Sequence, residues 1–271
     1  KLMKKTILIA CLGLVSLGLQ AQSISLAGEW NVELGKSGSA FAKSKRASQG
    51  EVKRAILPGT IDTNHLGFAP KDTMETTHLT RLYAYKGAAR YSRTINIPKD
   101  WKKKPVELFL ERTRPTWVYV DGELVDSCNF ISTPQRYLLP KKVKPGKHLL
   151  EIVVDNGRGV PDQVYGSSHA YTEDTQTNWN GIIGRIELQL ASSTEMQTGT
   201  IPSRSVVSPS ALQMPDFAKD FHIKGAHFYA NGHRIFLRGK HDAAVWPLTG
   251  HVEMSVEGWM KYLGTCKEYG I

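Results

Sequence analysis

From Gly28 to about Leu190 the chain is written in short apolar or alternating runs, at 29–34, 89–97, 106–111, 117–121, 149–155 and 183–190. No long segment of 3.6-residue period interrupts them. Alternation of period 2 sends successive side chains to opposite faces of a strand, so each run can bury one face and wet the other. Asp121-Gly122 and Pro145-Gly146 stand between runs as turn signals. The pattern predicts an antiparallel β-sandwich over 22–190. With 271 residues, 41% of them hydrophobic, the chain has enough apolar content for one or two domains with real cores.

Lys102-Lys103-Lys104-Pro105 and the lysines of 141–147 come just before strand runs. There, charge and proline blunt sheet edges and keep loops soluble. Upstream, Lys4-Lys5 precede an apolar run from about Thr6 to Leu19, followed by Leu19-Gln20-Ala21-Gln22, the layout of a cleavable signal peptide over 1–21. The run is too short to span a bilayer comfortably. The expected location is therefore periplasmic or secreted, with no membrane association after cleavage. Leu8-Ile9-Ala10-Cys11 has the outline of a lipoprotein box, but an apolar stretch follows the cysteine where a polar tether belongs.

With Lys1, Lys4 and Lys5 removed, the formal charge of +10 becomes +7. The remaining charge is spread out and reads as solvated loops, so no nucleic-acid partner is expected. Cleavage also removes Cys11 and leaves Cys128 and Cys266 in different predicted domains. That arrangement calls for neither a structural disulfide nor a zinc site, and no metal or cofactor is expected.

Between 191 and 220 the composition shifts to Ser, Thr, Pro, Gln and Met, as in a linker. Beyond it, 221–229 and 233–239 flank Ala230-Asn231-Gly232, a strong hairpin signal because both turn positions need positive φ. Val256, Trp259, Met260 and Leu263 then share one helical face, with Ser255 placed as N-cap and Gly270 as C-cap. A strand followed by a crossover helix is the opening unit of a parallel α/β fold, and a lone unit cannot bury both of its faces.

Four strings in the first half are Leu57-Pro58-Gly59-Thr60, Asn96-Ile97-Pro98, Trp117-Val118-Tyr119-Val120-Asp121-Gly122, and the stretch from Trp179-Asn180-Gly181-Ile182 to Leu188. In order and spacing they resemble the sugar-binding domain of family 2 glycoside hydrolases. The stretch from Tyr229-Ala230-Asn231-Gly232 to Arg238-Gly239, and then Pro247-Leu248-Thr249-Gly250, is similar to the start of that family's catalytic barrel. The resemblance runs from about Leu26 to Ile271. It implies a mainly β chain: a jelly-roll, galactose-binding-like sandwich followed by the first strand–helix unit of a truncated (β/α)8 barrel at 221–271.

Two departures limit what carries over. Family members usually hold an immunoglobulin-like domain between sandwich and barrel, for which the linker has no room. Where the family's β-galactosidases have Asn-Arg-His-Glu before the Pro-Leu-x-Gly loop, this chain has His241-Asp242-Ala243-Ala244, so galactose specificity is not inherited. Their acidic, sodium-linked sugar contact two positions before the loop tryptophan is Thr177 here.

The resemblance implies a retaining exo-β-glycosidase parent acting on terminal β-linked sugars. Its two catalytic glutamates would lie on later barrel strands, so none is nominated in this chain, and the segment alone is expected to be inactive. The candidate carbohydrate contacts are His169, Asn178 and Asn180, with Gln176 beside them, on the loop before the Trp-x-Gly-Ile strand, and His241, Asp242 and Trp246 near the first barrel loop. Each has a structural alternative: loop hydrogen bonding for the polar residues, pairing of Asp242 with Lys240 or His241, and a hydrophobic anchor for Trp246. A non-catalytic carbohydrate-binding module is the alternative for the whole chain.

Overall fold

The computed structural model describes residues 23–36, 51–71, 74, 76, 77, 79–167, 169, 171–173, 177–191, 220–242, 246 and 248–271. The expected signal peptide at 1–21 and nearly all of the expected linker at 191–220 lie outside them.

Two antiparallel sheets form the predicted sandwich. One is built from β1 (Ser23–Ser25), β4 (Gly59–Thr60), β6 (Val106–Thr113), β9 (Gln135–Leu138) and β11 (Gly181–Leu190), in the order β1-β11-β6-β9 with β4 also on β11. The other, ordered β3-β2-β5-β10-β7-β8, consists of β2 (Gly28–Gly35), β3 (Lys53–Leu57), β5 (Ala88–Ile97), β7 (Thr116–Val120), β8 (Glu123–Cys128) and β10 (Gly146–Asp155). A single buried cluster draws from both. Trp30, Tyr91, Val118, Leu150 and Ile152 come from the six-stranded sheet, and Leu108, Leu110, Tyr137, Ile182, Ile186 and Leu188 from the other. Removing such a side chain from water contributes about 1.5–3 kcal/mol each, which is why the alternating runs settle with these residues inward. Arg90 and Glu151 lie on the opposite face of β5 and β10 and pair there at 3.0 Å.

The turns follow from local sequence. Asp121 (φ 51°) and Gly122 (φ 77°) are both left-handed, as a tight turn between right-twisted strands requires, and they join β7 to β8. Beyond the sandwich, β12 (Phe221–Lys224), β13 (His227–Ala230) and β14 (His233–Ile235) make a three-stranded meander. Asn231 and Gly232 form its second turn with φ of 52° and 76°.

Helix α2 (Val256–Glu268) begins where Ser255 Oγ accepts from the Gly258 amide at 3.0 Å. It ends in the left-handed Gly270, with the Ile271 amide donating to the Cys266 carbonyl. Short helix α1 (Asp162–Ser167) lies between β10 and β11.

The strand read at 233–239 is shorter in the structure. The run at 233–239 forms a strand only over its first three residues, and 236–242 have no regular structure. A parallel strand is held by neighbours on both sides, and among the described residues none pairs with 236–242. Phe236 and Leu237 accordingly stay exposed. The meander and the capped helix are both present.

Candidate functional site

Two of the sequence strings meet as backbone on backbone. In the β4–β11 pair Gly181 lies opposite Thr60 and Ile182 opposite Gly59. A Cβ on Gly181, whose φ is +155°, would fall 2.3 Å from the Gly59 carbonyl oxygen. Only glycine permits that approach, so the Pro-Gly-Thr and Trp-Asn-Gly-Ile strings are two halves of one contact.

The loop leading into β11 is fixed from several sides. Asn180 is fully buried, and its amide nitrogen donates to the carbonyls of Gly87 and Val154, both at 2.9 Å. Its carboxamide oxygen accepts from Tyr91. Asn178 and Asn156 exchange side-chain to backbone bonds, Asn156 Nδ2 to the Asn178 carbonyl at 2.6 Å and Asn178 Nδ2 to the Asn156 carbonyl at 3.0 Å. Arg114 lies between the rings of Tyr171 and Trp179, its guanidinium carbon 4.4 and 4.3 Å from their centroids. Its Nε donates to the Trp179 carbonyl and one terminal nitrogen to that of Thr177, each at 3.0 Å. Burial lowers its pKa to about 10, which still leaves it cationic at neutral pH.

Arg81 closes the other side. Its Nη1 donates to both oxygens of Asp62, at 3.1 and 3.0 Å. The edge formed by Nε and Nη2 donates to the two oxygens of Glu173, at 3.1 and 2.8 Å. The Asp62 carboxyl is raised above its ordinary value because desolvation outweighs the pull of Arg81.

Onto this platform the segment after residue 246 is seated. Thr177 Oγ1 donates to the Gly250 carbonyl, and the Trp179 and His251 rings meet edge-on at 6.3 Å. Met254 lies over Gly184 so closely that a Cβ there would come within 2.9 Å of its Cε. Burial lowers the pKa of His251 despite the Val252 carbonyl and the nearby Glu253 and Asp62 carboxylates, so the ring is neutral at physiological pH.

A second cluster lies further along. Tyr262 donates to Asp242 and accepts from Lys240, whose Nζ is 3.4 Å from the Asp242 carboxylate. The hydrogen bond from Lys240 to Tyr262 is the main cause of the raised lysine pKa, with Asp242 adding to it. Trp246, Trp259 and Tyr262 pack with ring centroids 5.3–5.6 Å apart. At that spacing they fill one another's faces and act as an anchor between loop and helix.

The predicted contacts thus divide. Asn178 and Asn180 belong to the internal lattice of the platform, and Asn180 has no exposed surface to offer a hydroxyl group. Asp242 pairs with Lys240 and Trp246 packs within the aromatic cluster, while His241 and His169 are solvent-exposed on separate segments. Gln176 lies outside the described residues.

Arg81, Arg114, Asn156 and Glu173, which organise the platform, carry no motif in the sequence. The signal available was an arginine directly before Pro115, in a turn between two strongly apolar strands. Four described acids of this region are engaged: Asp62 and Glu173 on Arg81, Glu253 on the Ser255 amide and hydroxyl, and Asp242 on Lys240 and Tyr262. Among the described residues no group of three or more His, Cys, Asp or Glu side chains is disposed to hold a metal. Replacing Asn180 by alanine leaves two buried carbonyls without that donor and is expected to lower the unfolding free energy by about 2 kcal/mol. Urea unfolding measures this, and an unchanged midpoint would contradict the lattice role.

No protein-family profile matches the chain, and no curated protein does. Solved structures do match. One is a β-glucuronidase from an uncultured Clostridium sp., at 16% identity and a TM-score of 0.47, over 65% of this chain and 30% of that one. A Faecalibacterium prausnitzii β-glucuronidase matches at 18% identity and a TM-score of 0.45, over 65% and 32%. A family 2 β-galacturonidase from Eisenbergiella tayi, solved with galacturonate, matches at 20% identity and a TM-score of 0.43, over 65% and 26%. The chain therefore spans about a third or less of each of these enzymes.

Proposed function

We propose that this chain supplies the ancillary β-sandwich and the opening of the catalytic domain of an exported retaining exo-β-glycosidase that acts on terminal β-linked sugars. One observation carries the reading. The Trp179-x-Gly-Ile strand and the Pro-Leu-x-Gly loop, read separately as family 2 motifs, pack together through Thr177 with Gly250 and Trp179 with His251. Residues some seventy positions apart meet where a sandwich would have to brace the rim of a barrel mouth.

Retaining hydrolysis needs two carboxyl groups about 5 Å apart across the anomeric carbon, one as nucleophile and one as acid and base. In the family resembled, both carboxylates are glutamates on later barrel strands, so this reading assigns neither of them to the described seam, whose acids Asp62, Glu173, Asp242 and Glu253 serve as ion-pair and cap partners. The role left to the sandwich is to hold the first loop in place, and whatever sugar contact it makes falls to exposed groups such as His241.

The purified chain is therefore expected to show no turnover of nitrophenyl β-galactoside, β-glucuronide or β-mannoside. Measurable hydrolysis by the chain would refute the placement of the catalytic pair. Coding sequence downstream that lacked further strand–helix repeats and an Asn-Glu pair at a strand end would refute the glycosidase reading. Millimolar binding of neutral sugars by the sandwich, with such a downstream sequence missing, would instead favour a non-catalytic carbohydrate-binding module.

A further inference from the structure

Two loops that look independent in sequence lie side by side at one end of the sandwich. β5 ends at Ile97 opposite Gly146, the first residue of β10, and the Leu139 amide donates to the Val106 carbonyl at 2.8 Å. The segments 98–105 and 139–147 are thereby neighbours. Between them they expose Lys99, Lys102, Lys103, Lys104, Lys141, Lys142, Lys144 and Lys147. The acids there are Asp100 and, on the adjoining turn, Asp121 and Glu123, so eight lysines face three carboxylates. Glu123 is paired with Lys142 and Asp121 with His148.

The lysines are held on ordered supports. Trp101 and Leu139 are buried in the main core, with Val143 packed against it. Turn hydrogen bonds run from the Trp101, Lys102 and Lys104 amides to the Pro98, Lys99 and Trp101 carbonyls, and from the Val143 amide to that of Pro140. Lys103 is fixed in the left-handed region at φ 64°. This end lies across the length of β11 from the platform, since that strand begins at Gly181 beside the seam and ends at Leu190 opposite Val106. Ten residues of strand place it about 30 Å away.

We propose that this basic end is a docking face for an anionic polysaccharide, a chain bearing uronate or sulfate groups. The composition of the two loops narrows the kind of polyanion that fits. Their one aromatic residue, Trp101, is buried, so there is no ring on which a base can stack. Neither loop carries an arginine for planar, bidentate phosphate recognition. Lysines are compact charges on rotating stems, and an array of them matches carboxylates repeated along a flexible polymer. The choice of a glycan over other polyanions rests on the exported-glycosidase reading, but the docking face itself needs neither catalysis nor the barrel.

The test uses the purified chain and polygalacturonate, with fully methyl-esterified polygalacturonate and dextran as uncharged controls, in biolayer interferometry. Binding is expected to polygalacturonate alone and to weaken about tenfold or more between about 50 and about 200 mM salt. The variants K102Q/K103Q/K104Q and K141Q/K142Q/K144Q should each weaken it about tenfold or more, with thermal midpoints unchanged because these side chains are exposed. Equal binding to the methyl ester or dextran, or full retention by both triple variants, overturns the proposal. So does tighter binding to phosphatidylglycerol vesicles or to single-stranded DNA. A catalytically silent chain that binds polygalacturonate would leave this proposal standing whatever becomes of the glycosidase reading.

Discussion

Replacing Arg114 by alanine is expected to lower the unfolding free energy by about 3–5 kcal/mol and the thermal midpoint by about 10 °C. The guanidinium is almost wholly buried, so its loss is not made good by water. The carbonyls of Thr177 and Trp179 each lose a charge-assisted donor, worth about 1.5–3 kcal/mol apiece. Tyr171 and Trp179 lose the cation between their faces, worth about 2 kcal/mol where desolvated, and a void replaces it. These terms overlap, which is why the total stays below their sum.

Lysine should recover little, because a single ammonium cannot stack between two rings and reach two carbonyls together. Near-ultraviolet circular dichroism should lose intensity at the tryptophan bands as Trp179 loosens, and the same change should weaken the seating of His251 on Trp179. A lysine variant as stable as the native protein would mean that the planar fork is unimportant.

Arg114 also shows where sequence reading stops. The alternating runs specify which strands form and which face turns inward, because period 2 and burial are properties of neighbouring residues. Asp121-Gly122 and Asn231-Gly232 specify their turns for the same reason: the requirement for positive φ is local. β8 and β9 escape such a reading. Glu123–Cys128 is an edge strand largely exposed on both faces, and Gln135–Leu138 is too short to set up a period.

The platform is harder still, since it is made by long-range pairings. Arg81 meets Glu173 across ninety-two positions, and Asn180 meets Gly87 across ninety-three. Asn178 and Asn180 were legible as important polar residues beside a tryptophan, but not as internal ones. A side chain that can bind a sugar hydroxyl can equally bind a backbone carbonyl, and only the fold decides which of the two is near. The lysine runs pose the converse problem. Each is an ordinary solvated loop by itself, and only the register of β5 with β10 gathers their charge at one end.

Replacing Arg81 by alanine is expected to cost about 3–5 kcal/mol near neutral pH and distinctly less in mild acid. In the native chain Arg81 is shared by Asp62, whose side chain is 11% exposed, and by Glu173. Burial already raises the Asp62 pKa above its ordinary value, with Arg81 opposing the rise. A carboxyl raised in this way binds more protons folded than unfolded. Its favourable share of stability is complete below the unfolded value and is lost as pH climbs through the folded one.

Removing Arg81 takes away the opposing charge and leaves two carboxylates facing each other, so the Asp62 pKa climbs further and the pH-dependent loss grows. Urea unfolding at about pH 4.5 and about pH 7.5 should therefore show a deficit that widens toward neutrality. In an Asp62→Asn background the same substitution should cost less by about 1–2 kcal/mol, because one of the stranded charges is gone. A deficit equal at both pH values and in both backgrounds would mean that Arg81 acts only by filling space. The Gly250 loop would then rest on packing, with no contribution from this ion triad.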